Sequence, residues 1–443
     1  MRTTFSDGAH SIEEICAIAR SRGFKALFIN DHDRIDLSWG IPPFRRLFRY
    51  KKTYPSIATH GPKKFLAEIR RVARMYPDMI LIPGCETSPY YYWTGSYFSG
   101  DLTAHDYDRR ILVIHFDDPE DYRSLPTVGN EFSFRYSLRL LPGAILFFLP
   151  LAIGVWLVTG KGMGRTLGIL IVVLSGLALA DYNPFRGSLF TPYDGDRGVA
   201  PYQMVIDYVR ERGGLSFWNY PEHRSGVRPH GPIHVSTPPY PDVLYSSDGY
   251  TGFAAIYGDS TRATEPGREW DRALNEYCLG RRLRAPWGIS TADFHEDGRL
   301  GLKLGAFPTV FLVRHFTDKD VLEAMEKGRM YCSRGDGTDW PRLDRFDVET
   351  GDGTHAVMGE TVVTSAFPRI RFTVNFPSKA TLPMKLLLIR GGSLIRTFEG
   401  RPPLEVNYTD EAAPAGVTTY YRVMDEKKHL VSNPIFVRHE PKR

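Results

Sequence analysis

From Leu140 to Gly160 the chain carries no charged residue, and this stretch constrains everything around it. A helix of roughly 20 apolar residues is what it takes to cross the hydrocarbon core of a bilayer. A second apolar run, Leu167 to Ala180, follows the short loop KGMGR. It reaches a comparable length when Met163 to Thr166 are added and Arg165 extends its charge toward the interface. Neither run has the polar stripe of a helix half-buried in a soluble core, so a transmembrane helical hairpin over residues 136–182 is expected, with the lipid bilayer as its partner. Pro142 and Pro150 are compatible with it, because neighbouring helices resatisfy freed backbone groups. Lys161 and Arg165 crowd the loop, while Arg135, Arg139 and Arg186 flank the outer ends. Their density puts the loop in the cytoplasm and the folded part outside, in a bacterial inner membrane.

The rest of the sequence is that of a globular protein. Hydrophobic residues make up 42% and charged residues 24% of the 443, which excludes a disordered or collagen-like chain. The formal charge of +5 is scattered without a basic cluster, so no nucleic-acid footprint is read. Cys16, Cys85, Cys278 and Cys332 lie far apart beside apolar runs, without zinc-ligand spacing, and are expected to be buried free thiols. The polar opening MRTTFSDGAHS lacks a signal peptide's charged start and apolar run, so Met1 is expected inside a folded element.

Helix and strand signals alternate through the first third. Ser11 and Glu14 make a capping box that opens the helix SIEEICAIARSR. KALFIND, MILIPGCE and RRILVIHF read as strands, and KKFLAEIRRVARMY reads as a helix. After residue 200 come the helices PYQMVIDYVRER, REWDRALNEYCLG and TDKDVLEAMEKG, the last capped by Thr317. Between them lie the strands LSFWNY, GFAAIYG, WGIS and PTVFLVRHF. Repeated βα units argue for an α/β fold with a mostly parallel sheet or barrel. From Phe346 the texture changes to short alternating runs, among them RIRFTVNF, MKLLLIRGG and TTYYRVMD, which argue for a small antiparallel sandwich. The expected organisation is 1–135 and 183–340 as two parts of a barrel, 136–182 as the hairpin, and 346–443 as the sandwich.

Acidic and imidazole side chains stand where the expected strands end. Asp7 lies in TTFSDG, Asp31, His32 and Asp33 follow KALFIN, Glu86 follows MILIPGC, and Asp293 and His295 stand in STADFHED. Residues just past the C-terminal ends of parallel barrel strands converge on one mouth. Imidazoles and carboxylates gathered there suit a divalent metal, Zn, Mn or Fe, which lowers the pKa of bound water.

In their order and spacing the segments TTFSDG, GFKALFINDHD, IPGCET and STADFHEDG resemble the PHP (polymerase and histidinol phosphatase) superfamily over residues 1 to about 340. VLEAMEKGRMYCSRG and the closing SNPIFV resemble its carbaryl-hydrolase-like branch, which has a C-terminal β-sandwich. The resemblance implies a distorted PHP-type (β/α)7 barrel that hydrolyses phosphoesters or related bonds with up to three metals. Carried over by residue, it makes Asp7, His32 and His295 one metal site, and Glu86 and Asp293 parts of two neighbouring ones.

The sequence departs from that pattern at three expected histidines. Arg2 stands at one, Arg110 at another, and Tyr220 in the place of a His-Pro histidine, while a further histidine would precede Met1. Among candidate substitutes, His115 lies at odd spacing from Arg110 and points to the opposite strand face. His223 would swing in from its loop, and His105 is left open. A guanidinium is permanently cationic and bidentate toward carboxylates, so Arg2 and Arg110 are expected to neutralise Glu86 and Asp293. They would still attract a small anion such as a phosphoester, but they cannot generate hydroxide. Fewer than three ions are expected, with one retained site.

Two functions follow. One is a membrane-anchored metal-dependent hydrolase, with Arg2 or Arg110 clamping the substrate oxyanion. The other is a non-catalytic membrane sensor or scaffold that keeps the barrel for anion or protein binding. The retained ligands favour the enzyme.

Overall fold

The computed structural model describes residues 1–259, 261–299, 302–351, 353–376, 378 and 383–440. Its central sheet is built from six strands in the order Ala26–Ile29, Ile80–Thr87, Arg110–Ile114, Leu215–Asn219, Gly252–Ile256 and Trp287–Ser290. The last three of these are buried along their whole length, as strands covered on both faces must be. The helix Ile12–Ser21 shows how the covering layer is specified. Ser11 and Glu14 close its capping box, and Ile12, Ile15, Cys16 and Ala19 put an apolar stripe against the sheet. The helix Asp318–Lys327 starts at the Thr317 cap and ends at Gly328, whose φ of 75° is left-handed.

The seven-stranded parallel barrel expected from the sequence does not form. Ile80–Thr87 pairs antiparallel with Arg110–Ile114, which pairs antiparallel with Leu215–Asn219. Parallel neighbours require a crossover, usually a helix. Between Thr87 and Arg110 the chain instead makes two short strands and a single 3-10 turn, so it returns antiparallel. The sheet is also open. Its outer strands, Ala26–Ile29 and Trp287–Ser290, border a largely apolar cavity of about 450 Å³.

The C-terminal half also differs from an isolated antiparallel sandwich. Thr309–Phe311 and Met330–Ser333, read as part of the barrel, pair antiparallel into an eight-stranded sheet with strands of the last hundred residues. In that sheet Thr361–Thr364 lies parallel to Ile435–His439. A second, four-stranded antiparallel sheet faces it across a core that includes Phe346, Ile370, Phe372, Leu386, Leu388 and Val423. Side chains seal the junction with the first half. Asn433 Oδ1 accepts from the Gly288 N–H at 2.7 Å, and Thr309 Oγ1 accepts from the Ser290 N–H at 2.9 Å.

Two helices, Ser137–Val158 and Met163–Tyr182, are long and apolar enough to cross a membrane, with mean hydropathies of 2.3 and 1.9. Only 11% of each apolar window is buried, whereas a soluble core helix would be mostly buried. They pack closely through small residues. A Cβ on Gly168 would lie 2.7 Å from the Gly154 carbonyl oxygen, so only glycine fits there. At the other end the Tyr182 hydroxyl donates to the Leu140 carbonyl at 2.8 Å.

A buried ion pair also joins the two halves. Asp271, on helix Glu269–Cys278, accepts from Arg422 Nε at 2.8 Å and Nη2 at 2.7 Å, and from the Tyr420 hydroxyl at 2.7 Å. Arg422 is 0% exposed. Replacing Arg422 with Ala leaves a buried carboxylate without its cation, and is expected to cost about 3–5 kcal/mol. Denaturant unfolding of the detergent-solubilised chain would read this, and the paired change Asp271→Leu with Arg422→Met should recover most of the loss.

Candidate functional site

The segment Thr3–Gly8 is folded onto Asp31. The buried Asp31 carboxylate accepts from the Thr3 N–H at 2.7 Å, the Thr3 hydroxyl at 2.8 Å and the Ser6 hydroxyl at 2.6 Å. This places Arg2 at the ends of the central strands, where its backbone N–H also reaches the Phe294 carbonyl at 3.2 Å.

From there the Arg2 guanidinium meets four side chains from four separate segments. Nη1 donates to Asp7 Oδ2 at 2.9 Å and faces His32 Nε2. Nη2 lies 2.6 Å from Glu86 Oε2 and 2.7 Å from Asp293 Oδ1. Arg110 approaches from the other side, with Nη1 2.8 Å from Glu86 Oε2 and 3.0 Å from His32 Nδ1, and Nη2 3.1 Å from Asp108. Glu86 accepts a further bond from the Asn219 amide. Arg2 and Glu86 are both buried, so each charge depends on the others.

The surroundings set the protonation states. Burial and the two guanidiniums push His32 down to about 4, so its ring is neutral at pH 7. Burial alone would raise Glu86, but Arg2 and Arg110 override it and hold the carboxyl well below its usual range. Burial likewise opposes the charged form of Arg2, and Glu86 and Asp293 outweigh it. His295 stands at the outer rim, with Nε2 3.3 Å from Asp7 Oδ2 and Nδ1 2.6 Å from the Asp293 carbonyl. Burial lowers its pKa, but the bond to Asp7 wins and raises it.

Arg2, Arg110, Asp7, His32, Glu86, Asp293 and His295 are thus brought together. His223 is not: it lies half-exposed on its loop and pairs with Asp259. His115 lies just beyond its strand, with a left-handed φ of 68°, and pairs with Asp117 at 3.3 Å. His105 stacks on Tyr92, with ring centroids 4.9 Å apart. Asn219 and Asp108 complete the cluster and were not singled out from the sequence. Asn219 precedes Tyr220 at the end of its strand, so its place beside that position was the available signal.

The donor set does not fit a divalent metal. Among the described residues no group of three or more His, Cys, Asp or Glu side chains is arranged to hold one. The chemical reason is visible in the contacts. Lone pairs of Asp7, His32, Glu86 and Asp293 that would bind an ion face guanidinium N–H groups.

No family model and no curated protein matches this chain. Among solved structures it is similar to a Bifidobacterium adolescentis protein provisionally described as a metal-dependent phosphoesterase. That similarity has 13% identity and a TM-score of 0.28, covering 66% of this chain and 85% of the other. It is also similar to the fibronectin(III)-like modules of Clostridium thermocellum CbhA, at 11% identity and a TM-score of 0.15, covering 23% of this chain and 99% of the module. Likeness at this level assigns neither a reaction nor a ligand.

The neutral His32 predicts a pH dependence. Its folded pKa near 4 lies below the ordinary 6.5, so between those values the unfolded chain binds a proton that the folded one refuses. This contribution is fully present above about pH 6.5 and is lost as pH falls toward 4, at roughly 1.4 kcal/mol per unit. Asp33, raised to about 6 by burial, titrates with the opposite sign, so the parent must be compared with a variant. His32→Asn should flatten the decline in unfolding free energy between pH 6.5 and 4, and an unchanged slope would remove His32 as its source.

Proposed function

We propose that the chain is a membrane-anchored binding or scaffold protein whose hydrolase-like cluster is locked by arginine and does not perform metal-dependent hydrolysis. The observation that carries this reading is the Arg2 guanidinium standing among Asp7, His32, Glu86 and Asp293. A metal generates hydroxide by lowering the pKa of bound water. A guanidinium stays protonated and offers no vacant coordination position, so it does not supply that step.

The charge balance also weighs against capture of a phosphoester. Asp7, Glu86, Asp293 and Asp108 set four carboxylates against the two guanidiniums, whose N–H groups are already directed at them. The adjoining cavity offers a different kind of contact, with Phe24, Leu27, Val310, Phe311 and Trp340 in its wall. That wall suits an apolar ligand or segment. The two long apolar helices support the anchor.

A hydrolase is favoured by one separate observation: Asp7 and His295 meet at the open rim, where a water could reach them. The two readings part in a phosphomonoester assay with manganese, comparing the full chain with His32→Ala and Asp293→Ala. Equal background rates are expected in all three, and purified protein should hold less than one metal ion per chain. A manganese-dependent rate that both substitutions abolish would restore the hydrolase.

A further inference from the structure

The hairpin's folded end is tied to a distant loop. Asp181, in the last turn of Met163–Tyr182, accepts the backbone N–H groups of Arg46 at 2.6 Å and Leu47 at 3.1 Å. Those residues belong to the turn between the antiparallel strands Asp36–Gly40 and Arg49–Thr53. The loop therefore sits at the level where the second apolar helix ends.

Its composition is unusual for a surface turn. Ile41 and Phe48 are each 54% exposed, although nothing in a soluble setting favours presenting them side by side with arginines. Across the same helix end Phe132, Phe134 and Phe185 form a second exposed patch, with ring centroids 5.1 Å apart for the first pair and 5.5 Å for Phe134 and Phe185. The cations between these patches are incompletely neutralised. Arg49 pairs with Glu131 at 2.9 Å, but among the described residues neither Arg45 nor Arg46 has a carboxylate within ion-pair distance. Arg45 lies over the Tyr193 ring at 4.3 Å. Burial first, and then the nearby Arg186, push Arg46 down to about 10, against the opposing pull of Asp181.

We infer that loop 41–48 and the Phe132–Phe134–Phe185 patch form a collar seated in the headgroup layer of the bilayer that the hairpin spans, with Arg45 and Arg46 binding anionic phospholipid headgroups. This rests on the membrane-anchored reading. Aromatic rings settle at the interface because one end is apolar and the other tolerates water. Arginine stems lie along apolar surface while their heads reach phosphate, which they bind bidentately. The polybasic attraction to anionic lipid adds to both effects.

The test places a spin label on the full chain in nanodiscs, at Phe48→Cys, at Phe134→Cys and, as a control, at the exposed Val417→Cys. Discs of phosphatidylcholine alone are compared with discs that also contain phosphatidylglycerol. Labels at 48 and 134 should collide more with oxygen than with a water-soluble nickel complex, and the label at 417 the reverse. Phosphatidylglycerol should move the label at 48 deeper, and Arg45→Glu with Arg46→Glu should abolish that movement. If the chain enters the discs but the label at 48 matches the one at 417, the collar is wrong and the anchor stands. A label at 48 shielded from both reagents would indicate a protein contact and also overturn the collar. Failure of the chain to enter discs would overturn the anchor and the collar together.

Discussion

Burying a guanidinium is unfavourable unless its charge and its N–H groups are matched, and Arg2 meets both demands by gathering carboxylates and an imidazole from across the sequence. Its partners Asp7, His32, Glu86 and Asp293 come from the N-terminal turn, the end of the first central strand, the second strand and the segment after the last one. The geometry is fixed one layer further back. Asp31 holds Thr3 and Ser6, and so sets where the second residue of the chain can place its side chain. Arg110 shares Glu86 and His32, which makes the cluster a network in which removing any one charge strands another.

Much of this was legible in the sequence because it depends on local chemistry. The capping box at Ser11 and Glu14 and the Thr317 cap need only a few neighbouring residues, and both are present in the structure. The convergence of His32, Glu86, Asp293 and His295 was also readable, since each stands at or just beyond a strand end, whereas Asp7 reaches them from the N-terminal turn that Asp31 holds. Strand direction was not. Whether Arg110–Ile114 runs with or against Ile80–Thr87 depends on how the intervening residues fold, and Tyr92–Thr94 and Thr103–His105 are too short to announce themselves. His223 was misplaced for a similar reason, because spacing from Tyr220 could not reveal Asp259 as its partner.

The apolar helices were the plainest feature of the sequence, yet their setting emerged only from the fold. The turn between Asp36–Gly40 and Arg49–Thr53 lies more than a hundred residues before Asp181, and no local pattern links them. The exposed phenylalanines at 132, 134 and 185 acquire meaning by standing beside the same helix end.

The clamp by which Asn433 and Thr309 occupy the backbone of Gly288 and Ser290 has a wider effect. An outer strand with free amide and carbonyl groups is a template on which unrelated chains can stack and aggregate. Here side-chain oxygens fill that role from within the molecule. At the opposite border the Met1 nitrogen donates to the Phe28 carbonyl at 3.0 Å, and the Asn30 N–H donates to the Met1 carbonyl at 2.8 Å. Backbone groups at both margins of the unclosed sheet are therefore engaged by the chain itself, and fewer of them are left to pair with a neighbour.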